Sequence, residues 1–162
     1  MPSTTELIKE LREKTGAGIM ECKRAVEDAV GDPVQAEKLL KERGLALAAN
    51  KAGREAGQGL IESYVHAGRI GAMIELNCET DFVARTDDFR TLAREIAMQV
   101  AATNPSRISS KEESTDGDVP LLDQPYIRDA SKTVQDLLNE TIARVRENIV
   151  IRRFARFEVG GQ

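Results

Sequence analysis

The chain has 162 residues, of which 41% are apolar and 31% are charged, and its formal net charge is −4. Its length suits one ordinary domain or a small module with a compact second unit, while its negative charge argues against general binding to nucleic-acid backbones or membranes. No run approaches the roughly 20 apolar residues of a membrane span, and the N-terminal "MPSTTELIKE" has the plan of neither a signal nor a transit peptide, so we expect a cytoplasmic protein.

The first 44 residues predict a small module of three helices. Ser3 and Glu6 have the spacing of a capping box at the start of the first helix, and Gly16 is expected to end that helix. A second helix is expected from about residue 18 to residue 30. The third carries an apolar stripe and is expected to stop at Gly44.

A linker and a β-hairpin follow this module. The stretch "LALAANKAGREAGQG" is rich in alanine and then in glycine, and predicts a short helix that gives way to a linker at 45–56. Two runs with alternating apolar residues come next, "LIESYVH" and "RIGAMIELNC", separated by Ala67-Gly68. Alternation on both sides of a tight turn predicts a hairpin.

The remainder of the chain predicts two helices and a last strand. From Thr86 the apolar period changes from two to 3.6, which indicates a helix that ends at Asn104. Residues 106–125 are polar and turn-rich, and predict a mobile loop. Helical spacing returns over 134–145, and "NIVIRRFARFEV" predicts a strand. Residues 57–162 therefore predict an α+β core, with a small antiparallel sheet of three strands packed with helices.

The last strand has apolar residues on both predicted faces. One face carries Ile149, Ile151, Ala155, Phe157 and Val159, and the other carries Val150, Phe154 and the arginines. Such a strand suits a sheet that is covered on both sides, and a small sheet also has open edges. We therefore predict a two-fold symmetric homodimer formed through the α+β core.

The sequence lacks the motifs of common enzymes. It contains neither a G-x-x-x-x-G-K-[ST] phosphate loop nor a G-x-G-x-x-G motif. Its single histidine, His66, lies beside the predicted hairpin turn, and we interpret it as a half-exposed turn residue rather than a general base. Cys22 and Cys78 are far apart, which predicts neither a disulfide nor a zinc site. We expect no catalytic activity, no cofactor and no metal site.

A basic cluster in the last strand allows two interpretations. Arg152, Arg153 and Arg156 are interleaved with Phe154 and Phe157, a pattern found in RNA-binding platforms. The same pattern suits a strand with one apolar face and solvated arginines on the other. The acidic composition of the chain favours the second interpretation.

One phenylalanine lies in a polar stretch, "ELNCETDFVARTDDF", directly after an aspartate. Phe82 follows the hairpin by four residues and precedes the predicted helix start by four. It either folds back to close the core or anchors another protein, because an exposed ring buries much area at low entropic cost. The residues alone leave both alternatives open.

Three stretches resemble the family of translation elongation factor Ts, the guanine-nucleotide exchange factor of elongation factor Tu. They are "KELREKTGAGIMECKRAVEDAVGD", "ELNCETDFVART" and "ENIVIRRFARFEV". The resemblance implies that the three-helix module is a ubiquitin-associated-like domain that packs on the GTPase domain of elongation factor Tu. It implies partner contacts from the G-A-G-x-M turn, here Gly16, Ala17, Gly18, Ile19 and Met20.

The same resemblance implies a second binding segment at Thr80, Asp81, Phe82 and Val83. In the family this segment inserts its aspartate and phenylalanine between two helices of the GTPase domain and displaces the groups that hold Mg²⁺ and the β-phosphate of GDP. The implied function is promotion of GDP release, without catalysis of any covalent step and without direct nucleic-acid or membrane binding.

The chain departs from longer family members, which have a second core subdomain and a helical insertion. The resemblance implies that a second subunit replaces the missing half, as in short members that dimerise. A non-enzymatic peptide- or RNA-binding module is the alternative function.

Overall fold

The structure is a computed structural model that describes residues 1–113 and 117–161. As predicted, it is an α+β fold with helices first and a small antiparallel sheet later. The α-helices and strands are α1 (Thr4–Thr15), α2 (Ile19–Asp28), α3 (Pro33–Lys51), β1 (Gln58–His66), β2 (Ile70–Cys78), α4 (Asp81–Ala84), α5 (Asp87–Thr103), β3 (Pro125–Tyr126), β4 (Asp129–Thr133), α6 (Val134–Val145) and β5 (Ile149–Glu158).

The N-terminal helices have a small core of their own. Its buried apolar residues are Leu7, Leu11, Cys22, Ala25, Val26, Ala29 and Ala36. The predicted capping box is present at the start of α1, where Ser3 and Glu6 bond each other's backbone amides. Gly16 ends α1 with a left-handed φ of 69°, a conformation that glycine adopts without steric cost.

The third helix does not end at Gly44, so that prediction is wrong. Helix α3 continues to Lys51 and packs against α6, and Ala48 is buried in the main core. A glycine inside a helix costs up to about 1 kcal/mol, but α3 packs against α6 here, and a β-carbon at Gly44 would lie at an ordinary contact distance of 3.4 Å from Cβ of Ala143. The first seven residues of the predicted 45–56 linker are therefore helical, and Ala48 among them is buried.

The main core lies between the sheet and the helices α5 and α6. The sheet has the order β1-β2-β5 and is antiparallel throughout, as the predicted hairpin and last strand require. Helix α5 packs across β1 and β2, and α6 packs against α5 and α3. The largest fully buried side chains of this core are Phe89, Ile74, Leu76, Ile96, Leu121, Val100 and Val134.

A β-bulge in β5 overturns the predicted alternation of its faces. Glu75 pairs with Arg153 and Leu76 pairs with Ile151, which leaves Arg152 as the extra residue. Beyond the bulge, Phe154 pairs with the buried Ile74 and packs against the core. The inner face thus carries Ile149, Ile151, Phe154 and Arg156, whereas Phe157 lies on the outer face and is 78% exposed.

The segment 106–125 has more structure than predicted. Leu121 is fully buried within a 3₁₀ turn at Leu121–Asp123, and Ser106 donates two hydrogen bonds to Asp118 across the loop, from its amide at 3.1 Å and from its hydroxyl at 2.7 Å. Strand β3 begins at Pro125 and forms a second sheet with β4, which we did not predict. Residues 114–116 of the predicted mobile loop lie outside the described residues.

The second sheet is held to α5 by buried polar side chains. Tyr126 donates its hydroxyl to the carboxylate of Glu95, and Gln99 bonds both Gln124 and the amide of Ile127. Burial and the neighbouring Glu95 raise the pKa of Tyr126 to about 12. These bonds satisfy polar groups that α5 would otherwise bury without partners.

Candidate partner-binding turns

The first candidate site, Thr80–Val83, forms a short helical turn at the end of β2; we call it the TDFV turn. Thr80 caps α4, and its hydroxyl accepts the amide of Val83 at 3.4 Å. Phe82 is 77% exposed. The alternative in which Phe82 closes the core is therefore wrong, and Ala84 is the buried residue of α4 instead.

The base of the TDFV turn is bonded to the segment before β5. The amide of Thr80 donates to Glu147 Oε1 at 3.0 Å, and the hydroxyl of Thr80 donates to Oε2 at 2.7 Å. A single carboxylate thus accepts both hydrogen-bond donors of the capping residue. Charged acceptors make hydrogen bonds that are stronger than neutral ones.

A second carboxylate makes the reciprocal connection. Glu79 accepts the amide of Asn148 at 2.8 Å, and Arg54 lies 3.5 Å from its other oxygen. The buried side chain of Asn148 donates to the carbonyl of Arg54 at 2.8 Å. The end of β2 and the segment before β5 are therefore joined by two carboxylates in addition to the strand ladder: Glu147 accepts two bonds from Thr80, and Glu79 accepts one from Asn148.

The tip of the TDFV turn, by contrast, faces solvent. Asp81 pairs with Arg85 one helical turn away at 3.1 Å, with both side chains more than half exposed. An exposed pair of this kind contributes little to stability. Asp81 and Phe82 are consequently both available at the surface.

The second candidate site, Gly16–Met20, forms the connection between α1 and α2; we call it the GAGIM turn. Ala17 is held from both sides, since its amide donates to the Thr15 hydroxyl at 3.3 Å and its carbonyl accepts the Cys22 thiol at 3.9 Å. Ile19 and Met20 are more than half exposed. Two exposed apolar side chains thus follow a turn whose backbone is bonded at Ala17.

The end of α6 connects the two turns. Arg144 lies against the GAGIM turn, where a β-carbon on Gly16 would be 3.0 Å from its Nε, and it pairs with Asp88 at 3.5 Å near the start of α5. Arg146 pairs with Glu21 in α2. The short segment 144–148 therefore contacts both turns or the residues next to them: Arg144 and Arg146 contact the GAGIM turn and α2, and Glu147 contacts the TDFV turn.

Comparison with known proteins identifies the family. The family described as "Elongation factor TS" matches residues 9–117 and 79–162. The chain belongs to the elongation factor Ts family. The protein named elongation factor Ts from Thermoanaerobacter sp. (strain X514) is 47% identical to this chain, over 97% of this chain and 95% of that protein. The protein of the same name from Thermodesulfovibrio yellowstonii is 44% identical, over 99% of this chain and 98% of that protein.

A third relative, elongation factor Ts of Caldanaerobacter subterraneus subsp. tengcongensis, is 48% identical over 97% of this chain and 96% of its own length. That alignment has 193 positions, which exceeds the 162 residues of the chain. The relative therefore carries residues without a counterpart here.

The two buried cysteines of this family member are not reactive groups. Burial, together with the nearby charge of Glu147, raises the pKa of the Cys78 thiol to about 11. Its thiol donates to the carbonyl of Thr80 at 3.1 Å. Burial also raises the pKa of Cys22. Since the thiolate is the nucleophile, both residues act as small core side chains.

The lone histidine and the arginines of β5 contact neighbouring side chains and backbone groups. His66 is exposed at the hairpin, with the Tyr64 hydroxyl 3.0 Å from its Nδ1. Arg153 pairs with Glu75 at 2.9 Å, and Arg156 donates to the carbonyl of Ala101 at 3.0 Å. Across residues 1–113 and 117–161, no cluster of three or more potential metal ligands occurs, and no helix is long and apolar enough to cross a membrane.

Sequence reasoning missed the residues that hold the two turns. In the sequence, Glu147 and Arg144 have the pattern of ordinary charged residues at the end of a helix. The residues they contact, Thr80 and Gly16, lie far away in the chain. Only the charge of Glu147 directly before an apolar strand could have suggested a role. Neither its bond to Thr80 nor the contact of Arg144 with Gly16 has a local sequence signal.

Proposed function

We propose that this chain is the guanine-nucleotide exchange factor of elongation factor Tu and promotes release of GDP during translation elongation in the cytoplasm. The family membership supports the partner, since its relatives are named elongation factor Ts. The observation that carries the proposal is the exposure of Phe82, at 77%, on a turn whose base is bonded to the core.

The TDFV turn has the physical properties of a wedge. A ring presented on a fixed backbone binds a groove with little loss of conformational entropy. In the proposed complex, Asp81 and Phe82 insert between two helices of the GTPase domain and disturb the groups around Mg²⁺ and the β-phosphate. Because Mg²⁺ bridges nucleotide oxygens and protein oxygens, a disturbed coordination shell weakens the binding of GDP to elongation factor Tu.

Exchange by this route needs no covalent step. The factor and GDP weaken each other's binding reciprocally, as linkage requires. The factor accelerates release, and the excess of GTP over GDP in the cell sets the direction. In this proposal the chain is not an enzyme and needs no cofactor, direct nucleic-acid contact or membrane contact.

The GAGIM turn is proposed as the second contact. Ile19 and Met20 are exposed next to each other at the start of α2, and Gly16, Ala17 and Gly18 keep the backbone of the turn free of large side chains. The three-helix module would then dock on the GTPase domain and contribute affinity rather than displacement of Mg²⁺.

A homodimer through the outer face of the sheet is part of the proposal. Val65, Gly71 and Phe157 are paired neighbours across the three strands, and Met73 lies one pair away on the same face. The side chains of Val65, Met73 and Phe157 are more than half exposed, and a contiguous apolar patch on a sheet is a common site of association. A two-fold axis would place the patches of two copies face to face.

The experiment mixes the chain with elongation factor Tu loaded with fluorescent GDP and an excess of unlabelled GDP. The release rate is measured by stopped flow as the chain is titrated. We expect release to accelerate with chain concentration and then to reach a plateau. A release rate equal to that of elongation factor Tu alone would contradict the proposed function.

A further inference from the structure

We propose that Glu147 is a positioning residue for exchange, which holds the TDFV turn in its binding conformation through Thr80. The inference rests on the proposed function of the turn. It starts from two bonds, in which the Thr80 amide and hydroxyl donate to the two oxygens of Glu147 at 3.0 and 2.7 Å. Thr80 and Glu147 are 67 residues apart in the chain.

The carboxylate sets the direction of the Thr80 hydroxyl. A hydroxyl has one proton to donate and two lone pairs that accept. Since the proton goes to Glu147 Oε2, a lone pair remains for the amide of Val83, which lies 3.4 Å away. Glu147 therefore acts on the first turn of α4 indirectly, by keeping its cap in the accepting orientation.

The turn needs such external support because it is very short. Helix α4 has four residues, far fewer than the about 12 that an isolated helix requires. Phe82 is exposed and contributes almost no packing, so the conformation depends on Thr80 at one end and, at the other, on Val83 and the buried Ala84, which pack on the core. Removing the support from Thr80 leaves Asp81 and Phe82 on a frayed segment that must be ordered again upon binding, at an entropic cost.

A nearby glutamate offers a matched comparison. Glu79 is half-buried like Glu147 and also accepts a backbone amide, that of Asn148 at 2.8 Å, but its bonds run away from the TDFV turn. A purely structural role predicts that Glu79→Gln and Glu147→Gln have similar effects. A positioning role predicts that only Glu147→Gln affects the turn.

The test has two independent readouts. The first is hydrogen exchange of the Val83 amide in the free chain, measured by NMR. We expect Glu147→Gln to accelerate it at least tenfold while Glu79→Gln leaves it within about twofold. This readout involves no partner, so it tests the positioning even if the chain failed to stimulate GDP release.

The second readout is GDP release from elongation factor Tu at saturating chain concentration. We expect Glu147→Gln to lower the plateau rate about tenfold with a smaller change in the half-saturating concentration. Thr80→Val removes the same hydroxyl bond. The double variant should therefore release GDP no more slowly than the slower of the two single variants, because residues that act through one contact have non-additive effects. Glu147→Asp, which keeps the charge but shortens the side chain, replaces Glu147→Gln if the latter does not fold.

Three results would overturn the inference. The first is an unchanged rate of hydrogen exchange at the Val83 amide in both Glu147 variants. The second is that Glu79→Gln slows GDP release as much as Glu147→Gln does. The third is that the effects of Thr80→Val and Glu147→Gln on GDP release multiply in the double variant. A wild-type chain that does not accelerate GDP release would instead overturn the proposed function and leave the hydrogen-exchange result to decide on Glu147.

Discussion

Gly44 of α3 lies directly against Ala143 of α6, with room for one methyl group between the two helices. A β-carbon built on Gly44 would be 3.4 Å from Cβ of Ala143, an ordinary van der Waals distance. Helix α3 runs without interruption from the small N-terminal core to the main core and packs against α6 on the way. The two cores are thereby joined by a packed helix instead of a flexible tether.

Substitutions at Gly44 should have opposite effects that depend on size. Gly44→Ala should raise the free energy of unfolding by up to about 1 kcal/mol, because alanine favours the helix and its methyl group fits. Gly44→Leu should lower it by about 1–3 kcal/mol, because the larger side chain forces the helices apart. Urea unfolding measures both values, and a destabilising Gly44→Ala would show that α3 and α6 leave no room for a methyl group at this position.

Phe82→Ala should reduce exchange without affecting the fold. Because the ring is 77% exposed, we expect the free energy of unfolding to change by less than about 0.5 kcal/mol. The rate of GDP release from elongation factor Tu should fall at least tenfold, about 1.4 kcal/mol, as for an interface anchor. Val119→Ala serves as the control, since Val119 is also exposed but lies outside both turns. A folded Phe82→Ala variant that releases GDP at the wild-type rate would rule out the proposed role of Phe82 as a wedge.

Met20→Asp should weaken binding while it leaves the maximal exchange rate intact. Met20 is exposed on the GAGIM turn, away from α4 in the chain, so a charge there should disrupt docking but not the displacement of Mg²⁺. We expect the half-saturating concentration to rise about tenfold, within the range of interface residues that matter, with the same plateau. Val30→Asp, which alters a 92% exposed residue of the same module, should change neither quantity. If Met20→Asp lowers the plateau instead, the assignment of the turn to docking is wrong.

Phe157→Asp should convert a dimer into a monomer. Phe157 is 78% exposed on the outer face of the sheet beside Val65 and Gly71, and a buried unpaired carboxylate at a two-fold interface would be strongly unfavourable. Sedimentation should report about twice the 17.8 kDa chain mass for the wild type and a single chain for the variant. Phe82→Asp, with equal exposure on another element, should remain dimeric. A wild-type monomer at micromolar concentration would exclude this dimer.

Stability should decrease at alkaline pH, partly through Cys78. Burial raises the pKa of its thiol from about 9 to about 11, so the folded state holds the proton more tightly than the unfolded state. The resulting stabilisation is complete below pH 9 and is lost as the pH rises to 11. Cys78→Ala should therefore show a shallower loss of unfolding free energy between pH 9 and 11. Tyr126, whose pKa is about 12, is present in both proteins and cancels in the comparison, and parallel curves would contradict the prediction.

The elements that the sequence determined by itself are those with short-range signals. The capping box of Ser3 and Glu6, the stop at Gly16, the hairpin around Ala67-Gly68 and the α5 start at Thr86 all depend on residues within about four positions of one another. The family resemblance was equally local, since it rests on contiguous motifs such as T-D-F-V. Such features can be predicted from the sequence because their stabilising contacts form between residues that are neighbours in the chain.

Tertiary structure decided the features whose contacts join distant residues. Gly44 has the local character of a helix stop, yet the packing of α3 against α6 favours the helix beyond it, and α3 continues to Lys51. The extra residue at Arg152 becomes visible only in the pairing of β5 with β2, because no pattern within one strand reveals where its partner shifts register. The orientation of the TDFV turn depends on Glu147, 67 residues from Thr80. A bond across that separation forms only after the chain has folded, because the packing of the sheet and helices is what brings its two ends together.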